Sequence, residues 1–419
     1  MIEVGDASEK ILSAISALPS VRAPLAKSAG LVLSERVSAA TTSPPWDNSS
    51  MDGYAVRSAD IVLRKNAASD APRLKVVATI AAGGFAPRPL GPGEAMRIMT
   101  GAPIPVGADS VVRIEDTDRG TDRVKINELR DLQKNIRRAG EDFSEGATLF
   151  DAGIEIGAPH LGVLASAGVR EVSVHRRPRV GVISSGDELV ELDDLTDQVK
   201  GLKIVSSNSW TLPALIRDAG AEAIDLGIAS DDPASLREKL QMTEGCDLVI
   251  TSAGVSVGDL DNARSVFAEL GGELFFWKVR MRPGAPMAFG MLRGIPWLGF
   301  SGNPVSAMVS FEVFGRAVLR KMLGHVSLHR RALSVRLLEP VETAAPLTHF
   351  LRVIVTRGGD GVLEARLAGS QSSAVLSAMA RANALLVVPA ESRSNPAGSM
   401  LNALPLNDDL LMTDRFLTQ

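Results

Sequence analysis

The segment 247–261, DLVITSAGVSVGDLD, constrains the fold of this chain more than any other stretch. Its apolar and β-branched run up to Thr251 predicts a short, buried strand of a parallel sheet. Small, hydroxyl-bearing and acidic residues follow: Ser252, Ala253, Gly254, Ser256, Gly258, Asp259 and Asp261. Such residues let a ligand approach the backbone, bind anions through amides and hydroxyls, and hold a hard cation. Loops at the carboxyl ends of parallel strands commonly bind ligands, but glycines also serve ordinary turns, so both interpretations stay open at this point.

The same kind of loop recurs twice in a stretch where strands alternate with helices. Across 179–323 the apolar pattern predicts a mostly parallel sheet covered by helices on both faces. Asn208 and Asp232 are predicted to be the N-caps of two of these helices. The glycine- and hydroxyl-rich loops follow Ser184, Thr251 and Phe300. Because each loop would end a strand and open a helix, the three together predict one shared anion-binding site.

The flanking regions have a different character. A capping-box pattern at 6–9 and helical spacing to Leu18 predict an N-terminal helix that Pro19 ends. A strand is predicted at 30–37, and 74–114 resembles a small β-rich domain. After Gly324 the strand candidates have no intervening helices except one near 374–382, which predicts a separate small β domain.

Length and charge exclude several classes of protein. At 419 residues the chain is too long for one core, and we expect several domains. The net charge of −4 argues against a general nucleic-acid binder. The start has no secretory-signal pattern, and no apolar stretch is long enough to span a bilayer. The single cysteine, Cys246, excludes an internal disulfide and leaves the redox compartment open, although it suits the cytosol. Together with the missing signal and span, it leads us to expect a cytoplasmic protein with no membrane partner.

Eight segments, taken in order, carry a resemblance to a known family. They are PPWDNSSMDGYAVR, RIMTGAPIPVGAD, RAGEDF, RVGVISSGDEL, SNSW, TSAGVSVGD, RPGAPMAFG and SGNPVS. The sequence resembles the molybdopterin molybdenumtransferase family, which is related to the C-terminal domain of gephyrin. The resemblance implies a multidomain α/β fold: a molybdopterin-binding three-layer α/β domain with a mostly parallel sheet, smaller β-rich domains and a C-terminal β-barrel. The implied boundaries are 1–20 with 176–326 for the α/β domain, 21–47 with 140–175 for a linking domain, 48–139 for a β-rich domain and 327–419 for the barrel.

The resemblance also implies an activity and its residues. The activity is insertion of molybdate into adenylylated molybdopterin with release of AMP, in a homodimer and with Mg²⁺. The implied catalytic residues are Asp52, Thr100, Asp142, Glu188, Asp231, Asp259, Lys278, Arg282 and Ser373. The implied pterin-nucleotide ligands are Ser185, Gly186, Asp187, Asn208, Ser252, Gly254, Ser256, Gly258, Gly302, Asn303 and Pro304. The implied metal ligands are Asp187, Glu188 and Asp259.

These residue types suit the implied chemistry. Amides and hydroxyls can hold a pyrophosphate, and carboxylates can hold the divalent ion that its cleavage needs. Molybdate is a dianion, so Lys278, Arg282, Thr100 and Ser373 are its expected ligands. Asp52 and Asp142 would come from the smaller domains.

Four positions in three segments differ from the usual family pattern. The KPGKP segment is RPGAP here, with Arg282 and Ala285 in place of two lysines; SGGVSVG has Ala253, and LPGNP has Ser301. Arginine keeps the charge but binds oxyanions with a planar fork, so the molybdate site is the part most affected. Three alternatives follow: a paralogue with altered catalysis, a scaffold that binds molybdopterin, and a nucleotide-processing enzyme such as an adenylyltransferase or pyrophosphatase. The additional domains disfavour the last.

Overall fold

The computed structural model describes residues 1–67, 72–196, 200–253, 260–343 and 346–407. The helices are α1 (Val4–Ser13), α2 (Ser58–Ala67), α3 (Ala158–Ser166), α4 (Asn208–Asp218), α5 (Pro233–Gln241), α6 (Leu260–Glu269), α7 (Pro304–Ser310), α8 (Arg316–Met322) and α9 (Leu376–Arg381). A π-helical turn, Phe311–Gly315, joins α7 to α8, and 3₁₀ turns lie at Leu25–Lys27 and Ile114–Asp116.

The strands of the first half are β1 (Ser20–Pro24), β2 (Val37–Ser38), β3 (Asn48–Ser49), β4 (Gly53–Val56), β5 (Arg73–Ile80), β6 (Glu94–Ile98), β7 (Ser110–Arg113), β8 (Arg123–Lys125), β9 (Ile136–Arg137), β10 (Thr148–Phe150), β11 (Glu171–His175), β12 (Arg179–Ser185), β13 (Leu189–Val190) and β14 (Ile204–Val205). Those of the second half are β15 (Glu222–Ala229), β16 (Leu248–Ser252), β17 (Gly272–Trp277), β18 (Met281–Arg282), β19 (Ala288–Leu292), β20 (Ile295–Phe300), β21 (Leu333–Leu337), β22 (Val341–Glu342), β23 (Thr348–Arg357), β24 (Leu363–Leu367), β25 (Ala384–Val388), β26 (Ser394–Asn395) and β27 (Met400–Pro405).

The central element is a six-stranded sheet in the order β15-β12-β16-β20-β19-β17. The first four strands pair in parallel, and β19 and β17 add an antiparallel edge. Helices α1, α4, α7 and α8 pack on one face, and α5 and α6 pack on the other. The predicted three-layer α/β domain with a mostly parallel sheet is therefore confirmed.

The strand order brings the three predicted loops to one edge. β12, β16 and β20 are consecutive neighbours, and Ser252 lies in register between Ser184 on one side and Phe300 on the other. Parallel strands end at a common edge, so the loops after these residues lie side by side. This register is the physical basis of the site described below.

The C-terminal region is a closed five-stranded barrel. β23 pairs with β24, β24 with β21, β21 with β27, β27 with β25, and β25 again with β23, so every strand has two partners. The barrel core contains Leu351, Val353 and Val355, whereas Phe350 belongs to the α/β core. β18 adds in parallel to β23 and places Arg282 opposite His349. The barrel is thus joined to the α/β region through this short strand and through Phe350.

The N-terminal half is rich in strands. A five-stranded sheet, β7-β4-β6-β5-β8, has two core clusters, and the pairs β1–β11 and β2–β10 surround a third with α3. These clusters are consistent with separate units at 48–139 and at 21–47 with 140–175. The domain boundaries stay a prediction. Within the described ranges, no helix combines the length and the apolar character that crossing a membrane requires.

Three local predictions are wrong. The N-terminal helix begins after Glu3, with no capping bond from a side chain, and it ends at Ser13, where the Ala14 and Ile15 amides turn to the carbonyl oxygens three residues back. Leu18 lies beyond the helix, and its amide donates to Met322 on α8. The segment 30–37 is not one strand: Val32 and Leu33 form isolated β-bridges, and Val37 begins β2. The backbone hydrogen bonds of this segment alternate between two neighbouring segments. Asn208 is not an N-cap: it is the first residue of α4, and its side chain bonds Gly302. The prediction for Asp232 is confirmed, because its side chain accepts from the Ala234 amide.

Candidate functional site

A cleft of about 510 Å³, here called the strand-end cleft, opens at the carboxyl edge of the parallel strands. Seven of the predicted ligand residues line it: Ser185, Glu188, Asn208, Ser252, Gly302, Asn303 and Pro304. They come from all three loops and from the start of α4. The sheet topology therefore brings together residues that are more than 100 positions apart in the sequence.

A chain of serine hydroxyls joins two residues that line the strand-end cleft, Ser206 and Ser252, through Ser184 and Ser209. The Ser252 hydroxyl donates to Ser184 over 3.3 Å, Ser184 lies 3.2 Å from Ser209, and Ser209 lies 2.7 Å from Ser206. These side chains are buried. A connected set of hydroxyls can turn its donors toward an anion, since each hydroxyl both donates and accepts. Sequence analysis did not predict Ser184, Ser206 and Ser209, because a serine beside a strand end gives no distinct signal.

Asn208 ties two of the loops together. Its Nδ2 donates to the Gly302 carbonyl oxygen over 2.8 Å, and the residue is 5% exposed. Its Oδ1 has no hydrogen-bond partner within the described part of the chain. A buried acceptor without a partner is unfavourable, so this oxygen is suited to an N–H donor of a bound ligand.

The loop after β16 has an unusual backbone. Ala253 has φ of 78°, in the left-handed region that favours glycine. A Cβ added to Gly302 would lie 3.1 Å from the Ala253 Cβ. Two of the loops therefore approach each other so closely that only small residues fit. The departure from the family pattern at Ala253 falls at this contact.

Glu188 is a carboxylate of the strand-end cleft, and Asp187 and Asp231 lie in the loops after β12 and β15 without lining it. The Asp231 backbone amide donates to the Asp187 carboxylate over 3.0 Å, and the Asp187 backbone amide donates to the Asp231 carboxylate over 3.3 Å. Gly186 has φ of 146°, and a Cβ there would lie 2.5 Å from a Glu188 carboxylate oxygen. The residues that the structure describes contain no group of three or more His, Cys, Asp or Glu side chains placed to hold a metal ion. The fourth acidic candidate, Asp259, lies outside the described residues, as do Gly254, Ser256 and Gly258.

A second cleft of about 730 Å³, here called the junction cleft, lies between the α/β region and the barrel. It adjoins the strand-end cleft, because Pro286, Ser301 and Asn303 line both. Its polar lining includes Arg282, Glu342, His349, Arg352, Gln371 and Ser373. Two arginines and one glutamate among these residues give the lining a net positive charge. Such a cavity suits an oxyanion.

Arg352 is a candidate ligand-binding residue that the sequence analysis did not predict. It is completely buried, and its Nη2 donates to the carbonyl oxygens of Ser370 and Ser372, each at 3.1 Å. Its Nε and Nη1 have no partner among the described residues. Burial lowers the pKa of the guanidinium, because no carboxylate compensates for the lost hydration. The available signal was an arginine inside the apolar run FLRVIV, where a charge would be unfavourable without a purpose.

The other predicted cations occupy different surroundings. Arg282 is exposed at the rim of the junction cleft, and Ala285 lines the same cleft. Lys278 does not line either cleft; its Nζ lies 4.0 Å from the centre of the Trp277 ring. That contact is a cation–π interaction. The structure therefore brings Arg282 and Ser373 together with Arg352, but it does not bring Lys278 to them.

Asp52, Thr100 and Asp142 lie in the N-terminal half and line neither cleft of the same chain. The Thr100 amide and hydroxyl both donate to one Asp52 carboxylate oxygen over 2.7 Å, and these bonds lower the pKa of the Asp52 carboxyl. Asp142 is exposed in a turn, where its amide donates to the Ser43 carbonyl oxygen. All three side chains are exposed, so their carboxylates and hydroxyl are accessible to a second molecule.

The fold and the two clefts define a multidomain α/β protein with two adjoining polar clefts, one at the carboxyl edge of its parallel strands and one between the α/β region and the barrel. Three family models match successive parts of the chain: the MoeA N-terminal region (domain I and II) at 2–168, a probable molybdopterin binding domain at 181–321, and the MoeA C-terminal region (domain IV) at 334–406. The chain belongs to the MoeA, or molybdopterin molybdenumtransferase, family.

Individual proteins match over nearly the whole length. Molybdopterin molybdenumtransferase 2 of Mycobacterium tuberculosis is 38% identical, over 92% of this chain and 95% of its own. A molybdopterin molybdenumtransferase of Staphylococcus aureus is 33% identical, over 97% of this chain and 96% of its own. Among solved structures, a molybdopterin biosynthesis MoeA protein from Pyrococcus horikoshii aligns with a TM-score of 0.80 and 25% identity, over 96% of this chain and 100% of its own.

Proposed function

We propose that this protein inserts molybdate into adenylylated molybdopterin and releases AMP. The observation that carries the proposal is the junction of two unlike clefts. One presents hydroxyls, backbone groups and an unpaired amide oxygen, and the other contains a buried arginine with unused donors. The substrates are likewise two, a pterin nucleotide and an oxyanion. The names of the relatives support the same reaction.

The strand-end cleft would hold the pterin nucleotide. The loops of Ser185, Ser252 and Gly302 supply amides and hydroxyls to the pyrophosphate, because backbone N–H groups at strand ends bind phosphates without a cation. Gly186, Asn303 and Pro304 belong to the same loops. The free Oδ1 of Asn208 would accept from a ring N–H. In this proposal Gly254, Ser256 and Gly258 also bind the pyrophosphate.

The junction cleft would hold molybdate. Arg352, Arg282 and Ser373 supply charge and a hydroxyl to the dianion, and charge-assisted bonds to an oxyanion are the strongest that side chains make. A molybdate ion there would satisfy the unused Nε and Nη1 of Arg352. Because Ser301 and Asn303 line both clefts, the metal would arrive beside the pterin. In this proposal Lys278 does not bind molybdate directly and contributes only a positive charge in the neighbourhood of the junction cleft.

The carboxylates in and beside the strand-end cleft fit a magnesium ion. Asp187 and Glu188 are exposed there, and Mg²⁺ needs only one or two protein carboxylates when phosphates and water supply the rest. Bound Mg²⁺ would neutralise the charge that develops on the phosphoanhydride as AMP leaves. Asp231 would orient Asp187 through their mutual bonds, and Asp259 is the further ligand proposed.

The working unit would be a cytoplasmic homodimer. Asp52, Thr100 and Asp142 match the family motifs but do not line the clefts of their own chain, which supports a contribution to the site of the other subunit. Oligomers with shared sites commonly have two-fold symmetry. Light scattering at micromolar concentration tests this point, since a 44.2 kDa species would exclude a shared site.

The deciding experiment measures AMP release from adenylylated molybdopterin over a titration of molybdate, with Mg²⁺ present and then removed by chelation. We expect release to require both ions. Calorimetry with adenylylated molybdopterin against ATP separates the alternatives: binding without turnover indicates a scaffold or an altered paralogue, and turnover of ATP indicates a nucleotide-processing enzyme. A parallel titration with tungstate measures the preference between the two oxyanions.

A further inference from the structure

We propose that His349 is the proton carrier of molybdate insertion, taking protons from the substrate thiols and giving them to the oxygen that leaves the metal. The inference rests on the proposed function and adds a residue and a step to it. His349 is 5% exposed, lines the junction cleft, and lies opposite Arg282 in the pairing of β18 with β23. The side chain is therefore enclosed in the cavity where the oxyanion would bind.

The reaction itself requires proton transfer. Molybdate, MoO₄²⁻, and a dithiol give an Mo(VI) trioxo dithiolene of charge 2− and one water. Two Mo–S bonds form and one Mo–O bond breaks, and the two S–H protons leave on the departing oxygen. No oxidation state changes, so no oxidant or reductant is needed. An oxide ion is a very poor leaving group, so protonation of that oxygen must accompany its departure.

The junction cleft offers few groups that can carry these protons. Among the residues that the structure describes, the charged or titratable side chains that line it are Arg282, Glu342, His349 and Arg352. Arginine does not release its proton in proteins, so the two guanidinium groups can hold the dianion but cannot shuttle a proton. Imidazole is the side chain whose ordinary titration falls near neutral pH, and its two nitrogens allow a proton to enter on one side and leave on the other.

His349 lies between two arginines that can hold the dianion, one on its own strand and one on the neighbouring strand β18. Arg352 and His349 are on the same strand, but Arg352 faces out toward the α/β region with Phe350, whereas His349 alternates with them toward the barrel mouth, as Leu351 does. Arg352 therefore extends from the face of β23 opposite to His349, whereas Arg282 is the permanent charge paired with His349 across β18. Glu342, on β22, is the acidic group that faces the same cavity and can stabilise the imidazolium.

The test compares His349→Asn and His349→Gln with wild type and with His329→Asn, an exposed histidine outside the junction cleft. Single-turnover AMP release is measured from pH 5.5 to 9, and molybdate affinity is measured separately by calorimetry. We expect the His349 variants to lose about 100-fold or more in rate, with molybdate affinity within about threefold of wild type. The variants should also lose the wild-type pH inflection, and free imidazole should restore part of the rate. His329→Asn should resemble wild type.

The outcomes distinguish failure of the proposed function from failure of the proton-carrier role of His349 alone. A wild-type protein that releases no AMP with molybdate would remove the proposed function. A wild-type protein that is active, together with His349 variants that keep its rate and pH profile, would overturn the proton-carrier role alone. A rate loss matched by an equal loss of molybdate affinity, without imidazole rescue, would also overturn it, because His349 would then be an oxyanion ligand or a structural residue.

Discussion

The side-chain amide of Gln371 pairs with the backbone of Arg352 in both directions. The Arg352 amide donates to Gln371 Oε1 over 2.9 Å, and Gln371 Nε2 donates to the Arg352 carbonyl oxygen over 3.0 Å. This pairing fixes the polar segment around Ser373 against β23, and Arg352 Nη2 bonds two carbonyl oxygens of the same segment. The arrangement orients the guanidinium without neutralising it.

An unneutralised buried cation leads to a prediction in which stability and function change in opposite directions. Arg352→Met should raise the half-saturating molybdate concentration by about 10- to 100-fold, which corresponds to losing a charge-assisted bond of roughly 1.5–3 kcal/mol. The same change should leave the free energy of unfolding without molybdate unchanged or higher, because an unpaired buried charge is itself unfavourable. Denaturant unfolding with and without molybdate measures both effects.

Arg357→Met is the matched control for Arg352→Met, since Arg357 is exposed at the end of the same strand. It should leave molybdate half-saturation within about twofold of wild type. A large loss of stability in Arg352→Met without molybdate, with half-saturation unchanged, would show that Arg352 only fastens the 369–373 segment.

The altered basic segment gives a second prediction. Arg282→Ala should weaken molybdate binding, and Ala285→Lys should strengthen it, because both positions line the junction cleft and only charge near the dianion changes. Affinity for adenylylated molybdopterin should stay near that of wild type in both variants. Arg280→Ala, which removes an arginine outside the cleft, is the control. An unchanged half-saturating molybdate concentration in Arg282→Ala would make Arg282 a structural residue of the β18 turn.

The close contact of two loops gives a third prediction. Gly302→Ala would place two Cβ atoms 3.1 Å apart, so it should lower stability by about 1 kcal/mol and weaken pterin-nucleotide binding. Ala253→Gly removes the contacting Cβ and places a glycine where φ is left-handed, so it should raise stability by up to about 1 kcal/mol. The double variant should recover what Gly302→Ala loses. Additive effects in this double-mutant cycle would mean that the loops do not press on each other.

The strand-end cleft could be predicted from sequence because its information is local. Each loop can be recognised in the sequence by small residues that follow an apolar run. Parallel strands end at the same edge of a sheet, so the loops are expected to lie side by side. The junction cleft could not be predicted in the same way. It forms where a strand of two residues, Met281–Arg282, pairs with a barrel strand more than 60 positions later, and no periodic pattern specifies that pairing. For this reason Arg352 was not predicted. Lys278 was predicted as a molybdate ligand because a dianion needs nearby cations, and in the structure its side chain packs on Trp277.

A fourth prediction concerns acid stability in the N-terminal half. Asp131 is 1% exposed, and it accepts from Nε of Arg113 over 2.8 Å and from Nη2 over 2.9 Å. These bonds lower the pKa of the Asp131 carboxyl to about 2. An aspartate in the unfolded chain titrates near 3.9, so the stabilisation is complete above that pH and is lost as the pH falls toward 2.

Asp131→Asn should therefore cost roughly 2 kcal/mol of stability at neutral pH. The difference from wild type should shrink as the pH falls from about 4 to 2. Urea unfolding over this pH range measures it, with the exposed Glu128→Gln as the control in the same segment. A difference that does not change with pH would show that the loss comes from packing and not from the charge of Asp131.

The last prediction tests whether the site is shared between subunits. Asp52 lines neither cleft of its own chain, whereas Arg352 lines the junction cleft, so Asp52→Ala and Arg352→Met should each inactivate every site at low molybdate when the variant is alone. If Asp52 acts in the cleft of the other subunit, a mixed dimer regains one site, made of the cleft of the Asp52→Ala chain and the intact Asp52 of the Arg352→Met chain. Half the dimers in an equal, freely exchanged mixture are mixed, and each has one active site of two, so AMP release should recover to about a quarter of wild type. If Asp52 acts within its own chain, every site in the mixture keeps one defect, and no recovery should occur at any mixing ratio.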